Sequence, residues 1–72
     1  MKKRTIIKEI RPKDIKQEPE GRHKFFQIRY KQMGGVVYTT REYQKKSNVL
    51  RILDSPLTVD AKIKVIEIVD DG

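Results

Sequence analysis

The clearest pattern along the chain is strict alternation. Phe26, Ile28 and Tyr30 take every second position, with Gln27, Arg29 and Lys31 between them. A period of two sends alternate side chains to opposite faces, so this run predicts a half-buried strand. Gly34-Gly35 follows, and paired glycines supply the positive φ of a tight hairpin. Val36-Val37-Tyr38-Thr39-Thr40 then returns as the partner, and the hairpin is expected to join 24–31 to 36–42. Two registers fit. A Gly-Gly loop pairs Met33 with Val36 and sets Tyr30 opposite Thr39. A three-residue loop, 33–35, sets Tyr30 opposite Tyr38 and Ile28 opposite Thr40. The second gathers more apolar surface on one face and is preferred, because a one-residue slip turns the whole strand over.

The flanking segments are less regular. Thr5-Ile6-Ile7-Lys8-Glu9-Ile10 is β-rich and predicts a short first strand, ended by Pro12, which has no N–H to give to a ladder. Residues 11–23 are polar, carry Pro12, Pro19 and Gly21, and show no period, so they predict a long exposed loop. From Glu42 to Leu53 the spacing changes. Tyr43, Val49, Leu50, Ile52 and Leu53 share one half of a helical wheel, Thr39 and Glu42 have capping-box spacing, and Pro56 marks a stop. A helix beginning near Arg41 is expected. A short strand over 49–53 is the alternative. Ala61 to Val69 predicts a last strand whose alternation breaks at Val65-Ile66, the mark of a bulge or of burial on both faces.

These elements predict an α+β fold: a small antiparallel sheet of three to four strands with one short helix packed on one face. The strand alternative for 49–53 would instead complete a five-stranded small β-barrel. Phe26, Ile28, Leu50 and Leu53 are the expected core. Residues 1–72 read as a single domain with a basic N-terminus (1–4), the exposed loop (11–23) and a frayed acidic C-terminus (70–72).

Composition narrows the function classes. With 72 residues, two Phe, three Tyr and no Trp, the core is thin, because a chain this short buries only about 60% of the surface it exposes when unfolded. The absence of cysteine excludes disulfides and thiolate-held zinc, and a single histidine excludes a His-rich metal site. No cofactor or metal is expected. The longest apolar run is Val36-Val37-Tyr38, too short for a membrane span or a secretory segment. A cytoplasmic protein is expected, or one of the host cytoplasm if phage-encoded, with no membrane partner and as a monomer or weak dimer.

Charge adds a direction. The net charge is +7, but residues 1–53 hold 15 Lys and Arg against five acids, whereas 54–72 hold two lysines against five acids. A chain polarised in this way offers one basic region to phosphate, since each neutralised phosphate releases counterions; the plainer reading is solubility. Catalysis finds little support. His23 lies between Arg22 and Lys24, where it faces solvent or phosphate instead of a shielded acid–base partner. Glu18 and Glu20 flank Pro19 in the polar loop and read as solvated acids, with no pocket to split their pKa values. Asp70-Asp71 supplies too few oxygens for a hard cation, and Gly34-Gly35 is not followed by a helix that would complete a phosphate loop. No enzyme is expected, and no catalytic residue.

The positive signal is cations interleaved with aromatics. If Phe26, Ile28 and Tyr30 face the helix, Phe25, Gln27, Arg29 and Lys31 form the outer face, where Phe25 can stack on a base while its neighbours hold phosphates. In the structural alternative Phe25 packs under the first strand and the cations solvate the sheet. Lys2, Lys3, Arg4, Arg22, Lys24, Phe25, Arg29 and Lys31 are therefore the candidate nucleic-acid-binding residues.

Phe26-Gln27-Ile28-Arg29-Tyr30-Lys31, the Gly34-Gly35 turn, the second strand, Tyr43, Lys45-Lys46 and Val49-Leu50 together resemble the arm-type DNA-binding domains of phage and transposon integrases. The resemblance covers residues 24–53 and implies a three-stranded sheet presented to the DNA major groove with one helix behind it. The chain departs from that pattern in its return strand, Val-Val-Tyr-Thr-Thr, which lacks the family's basic residues, and in its acidic last strand. Gly35 to Ser55 also resembles the YegP-like β-β-α domains, which implies the fold and no function. The expected function is a non-enzymatic nucleic-acid-binding module, with DNA favoured over RNA. The alternative is a small regulator of phage or mobile-element type that binds and modulates a larger host protein through a strand edge or charged face.

Overall fold

The computed structural model describes residues 1–32, 34–56 and 58–70. Strand β1 (Lys2–Ile10) leads into a 3-10 turn (Pro12–Gln17), then β2 (Lys24–Lys31), β3 (Val37–Thr39), helix α1 (Lys46–Leu53) and β4 (Val59–Asp70). The four strands form one sheet in the order β1-β4-β2-β3, and each neighbouring pair is antiparallel. This is the expected small α+β fold, with four strands and one short helix.

The hairpin adopts the preferred register. Tyr30 lies opposite Tyr38, their rings stacked at a centroid distance of 5.7 Å, and the Thr40 amide donates to the Ile28 carbonyl at 2.9 Å. Gln32 closes the turn by donating to the Val36 carbonyl at 3.0 Å, and Gly34 and Gly35 take φ of 106° and 87°, a region that favours glycine. Met33, the remaining residue of that loop, lies outside the described residues. The return strand is shorter than expected, ending at Thr39.

The last strand is central, and that explains its broken alternation. Val65 and Ile66 are both buried, Val65 opposite Phe26 on the helix side and Ile66 opposite Ile6 and Phe25 on the other. The register slip that accompanies this pair is in the partner strand β1, where Ile7 is the extra residue between Ile6 and Lys8. Ile15, Phe26, Ile28, Val49, Ile63 and Val65 form the buried cluster between sheet and helix, and each contributes about 1.5–3 kcal/mol of burial.

Several expectations are corrected. The helix begins at Lys46, not near Arg41, because the chain stays extended through Tyr43, which exchanges two backbone hydrogen bonds with Phe26 at 2.7 and 2.8 Å. No capping box forms. Thr39 is in β3, and the Lys46 amide instead donates to Glu20 Oε1 at 3.1 Å, an acid far back in the sequence. This shorter helix turns Val49, Ile52 and Leu53 inward at positions i, i+3 and i+4, and leaves Leu50 at 38% exposure, so Leu50 is not core. The 11–23 segment is not simply an exposed loop: Pro12 opens a 3-10 turn that buries Ile15 in the core. Lys2 to Arg4 belong to β1, opposite Asp70, Val69 and Ile68; Asp70 ends β4, and Asp71 and Gly72 lie outside the described residues. No described helix is long and apolar enough to cross a membrane.

Candidate functional site

Directly opposed residues of an antiparallel sheet point to the same side, so the register sorts the charges. The helix takes the side of Phe26, Ile28, Ile63 and Val65. On the open side, Lys62 of β4 stands opposite Arg29 of β2, and Arg29 opposite Thr39 of β3. One row along, Glu9, Lys64 and Gln27 align across β1, β4 and β2. Arg11 follows the end of β1 and lines a shared groove with Arg29, Lys31 and Lys62. Pro12 walls this groove at one side and Val37 at the other.

One acid enters the groove. Asp60 sits where the β2–β4 register slips between Arg29 and Lys31, and takes φ 51°, a left-handed conformation that Asp tolerates better than most residues. Arg11, Arg29, Lys31 and Lys62 take part in no ion pair among the described residues. Four cations and one carboxylate leave a positive potential in the groove, which a recessed, low-dielectric wall concentrates.

Next along the open face is an apolar band. Phe25 and Ile6 flank Ile66 on either side, with Ile66 at 4% exposure, Phe25 half-buried and Ile6 exposed. Phe25 and Arg29 are four residues apart on β2, about 13 Å in an extended strand.

The eight residues singled out from sequence divide. Arg29 and Lys31 are in the groove, and Phe25 is on the same face. Lys2 opposes Asp70, whose Oδ1 also receives the N-terminal ammonium at 3.3 Å. Arg4 lies opposite Ile68, but its guanidinium contacts Glu42 Oε1 at 2.8 Å, an ion pair that ties β1 to the segment beyond β3. Arg22 is exposed in the turn before β2, where its carbonyl accepts from Gln44 Nε2 at 2.7 Å. Lys3 and Lys24 oppose Val69 and Glu67, on the helix side of the sheet. Lys24 is therefore no part of the basic face. Its Nζ is 2.7 Å from Glu18 Oε1, and its side chain is only 15% exposed.

Glu18, expected as a solvated acid, is buried between two strands. Lys8 Nζ approaches its Oε2 at 2.7 Å from β1, opposite the Lys24 contact from β2. Burial works against ionisation of this carboxyl, and the Lys24 and Lys8 ammonium groups overcome it, holding the pKa below the usual carboxylate range. The ion pairs anchor the segment that carries Ile15 into the core and Glu20 to the helix.

Arg11, Lys62 and Lys64 are the residues that sequence reasoning passed over. Lys62 and Lys64 sit in a segment of net charge −3, and the segment total hides that both fall on the open side of β4. Their period-two spacing carries the signal.

Comparison with known protein families, with curated proteins and with solved structures finds no match to this chain.

Proposed function

We propose that the protein is a non-enzymatic nucleic-acid-binding module that holds the phosphate backbone on the open face of its sheet. One observation carries this reading: Arg11, Arg29, Lys31 and Lys62, from β1's end, β2 and β4, converge on one groove without an ion-pair partner among the described residues. Four cations gathered against the single carboxylate of Asp60 repel on balance, and a polyanion relieves that repulsion while releasing its own counterions. The resemblance of residues 24–53 to integrase arm-type domains points the same way. The binding set is Arg11, Arg29, Lys31, Lys62 and Lys64, with Lys24 and Arg4 engaged in ion pairs within the fold. The test is fluorescence anisotropy with labelled mixed-sequence DNA over a salt series. The log–log slope should be about −0.7 to −0.9 per phosphate neutralised, and the Arg29→Ala, Lys62→Ala double variant should flatten it by up to about two units. No binding at about 50 mM salt, where non-specific affinity is strongest, would remove the reading.

A second observation favours the protein-partner alternative. Large exposed apolar side chains gather on the two edge strands, Ile6 and Ile7 on β1, Val37 and Tyr38 on β3. An open edge with apolar side chains accepts an added strand from a partner. On that reading, Ile7→Lys, on an edge strand and outside the groove, abolishes capture of the partner and leaves DNA affinity intact.

A further inference from the structure

We infer that the open face takes a single strand of nucleic acid, with phosphates in the groove of Arg11, Arg29, Lys31 and Lys62 and a base stacked on Phe25. This rests on the nucleic-acid reading above and deepens it by naming the form of the ligand. The first argument is shape. Direct reading of a duplex is made by an element that projects into a groove, a helix, a ribbon or the face of a sheet. Here the cations that take part in no ion pair among the described residues line a recess, floored by β2 and β4 and walled by Pro12 and Val37. The ribbon that does project, where β1 and β4 run on past Lys24, divides its cations between two faces: Lys3 is on the helix side, and on the open side Lys2 faces Asp70 and Arg4 is held by Glu42. A flexible single strand can enter the recess that a duplex only covers.

The second argument is the neighbour of the groove. Duplex DNA presents phosphates and base edges, and a half-buried phenyl ring beside a fully buried Ile66 gives neither a hydrogen bond. An unpaired base presents its π-face. Sites for single strands join a basic groove to an aromatic platform on the same sheet. Phe25 stands about 13 Å from Arg29 along β2, within reach of one run of the about 4–16 nucleotides that sheet-based single-strand sites cover. Gln27, between them, donates a hydrogen bond to the Thr40 carbonyl at 3.1 Å.

The experiment compares a labelled twelve-nucleotide oligothymidylate with a twelve-base-pair mixed duplex, at matched salt, on the full chain. The single strand should bind several-fold tighter. Phe25→Leu should weaken the single strand about fivefold or more, without changing its salt slope, and leave duplex binding unchanged. Arg29→Ala with Lys62→Ala, both exposed positions that leave the core untouched, should weaken both ligands and lower both slopes. Equal or tighter duplex binding, or a single-strand affinity indifferent to Phe25→Leu in a variant that melts as the wild type does, overturns the single-strand path and leaves the nucleic-acid reading standing. Absence of binding to either ligand overturns both.

Discussion

Phe25 and Phe26 are neighbours in the chain and opposites in the structure. Phe26 is fully buried between sheet and helix, among Ile15, Ile28, Val49, Ile63 and Val65. Phe25 faces the side no helix covers, half-buried beside Ile66, a few positions from Arg29 and Lys62. One face of the sheet is dry and closed, and the other combines an apolar band with a cationic groove. The difference teaches that the fold needs only one face. Among the described residues Ile66 is the one buried side chain on the open side, and the cations beside it do not contribute to the core.

The sharpest way to break the comparison is to truncate each phenylalanine in turn. Phe26→Ala should cost about 3–5 kcal/mol, most or all of the stability of so small a domain, and the thermal transition seen by circular dichroism should vanish or drop far below that of the wild type. Phe25→Ala should cost about 1 kcal/mol and leave a cooperative transition. Equal losses would mean that the open face is a second core.

Next in size is the buried acid on the closed side. Glu18→Gln leaves Lys24 without its partner and should cost about 1–3 kcal/mol at neutral pH, less than a fully buried pair because Lys8 keeps much of its exposure. The pKa of Glu18 is lower in the folded chain than in the unfolded one. Its contribution is therefore complete above the usual carboxylate range and is lost as pH falls through the folded value. Urea melts of wild type and variant should differ at pH 7, and the gap should close as pH falls below the usual carboxylate range and through the lowered folded value. A gap that persists in acid would assign the loss to packing instead of charge.

The helix offers a smaller contrast. Val49→Ala should destabilise by about 1–2 kcal/mol, because the buried methyl groups are lost while alanine's helix propensity returns part of the difference. Leu50→Ala, at an exposed position one residue on, should change stability by about 0.5 kcal/mol or less. The same melts check both.

How far the sequence reaches follows from where each signal resides. The hairpin was legible because its signal is local: alternation, two glycines and a register decided by which face gathers Tyr30 and Tyr38. The burial of both Val65 and Ile66 was legible too, since adjacent apolar residues in a strand must face both ways. The helix start was not, because its cap comes from Glu20, 26 residues earlier, and a local capping box at Thr39 and Glu42 looked sufficient. Ile15 and Glu18 were missed for a related reason. A lone isoleucine in a polar stretch has no period, and Glu18 is defined by lysines on β1 and β2 that only the folded sheet brings to it. On the open face, Arg29 and Lys31 were readable from one strand, whereas Arg11 and Lys62 join them only through pairing across the sheet.

The smallest effect on stability and the largest on function should come from those cations. Exchanging Arg29 and Lys62 for alanine should move the melting transition by no more than about 0.5 kcal/mol, or raise it slightly as repulsion is relieved. The most direct test of the central claim is an amide chemical-shift titration of the labelled protein with a short single-stranded oligonucleotide. The account predicts shifts confined to Arg11, Phe25, Gln27, Arg29, Lys31, Lys62 and Lys64, with Ile15 and Val49 on the helix side unmoved. Shifts concentrated on α1 or on the edge residues Ile6, Ile7, Val37 and Tyr38, with the groove residues silent, would contradict it.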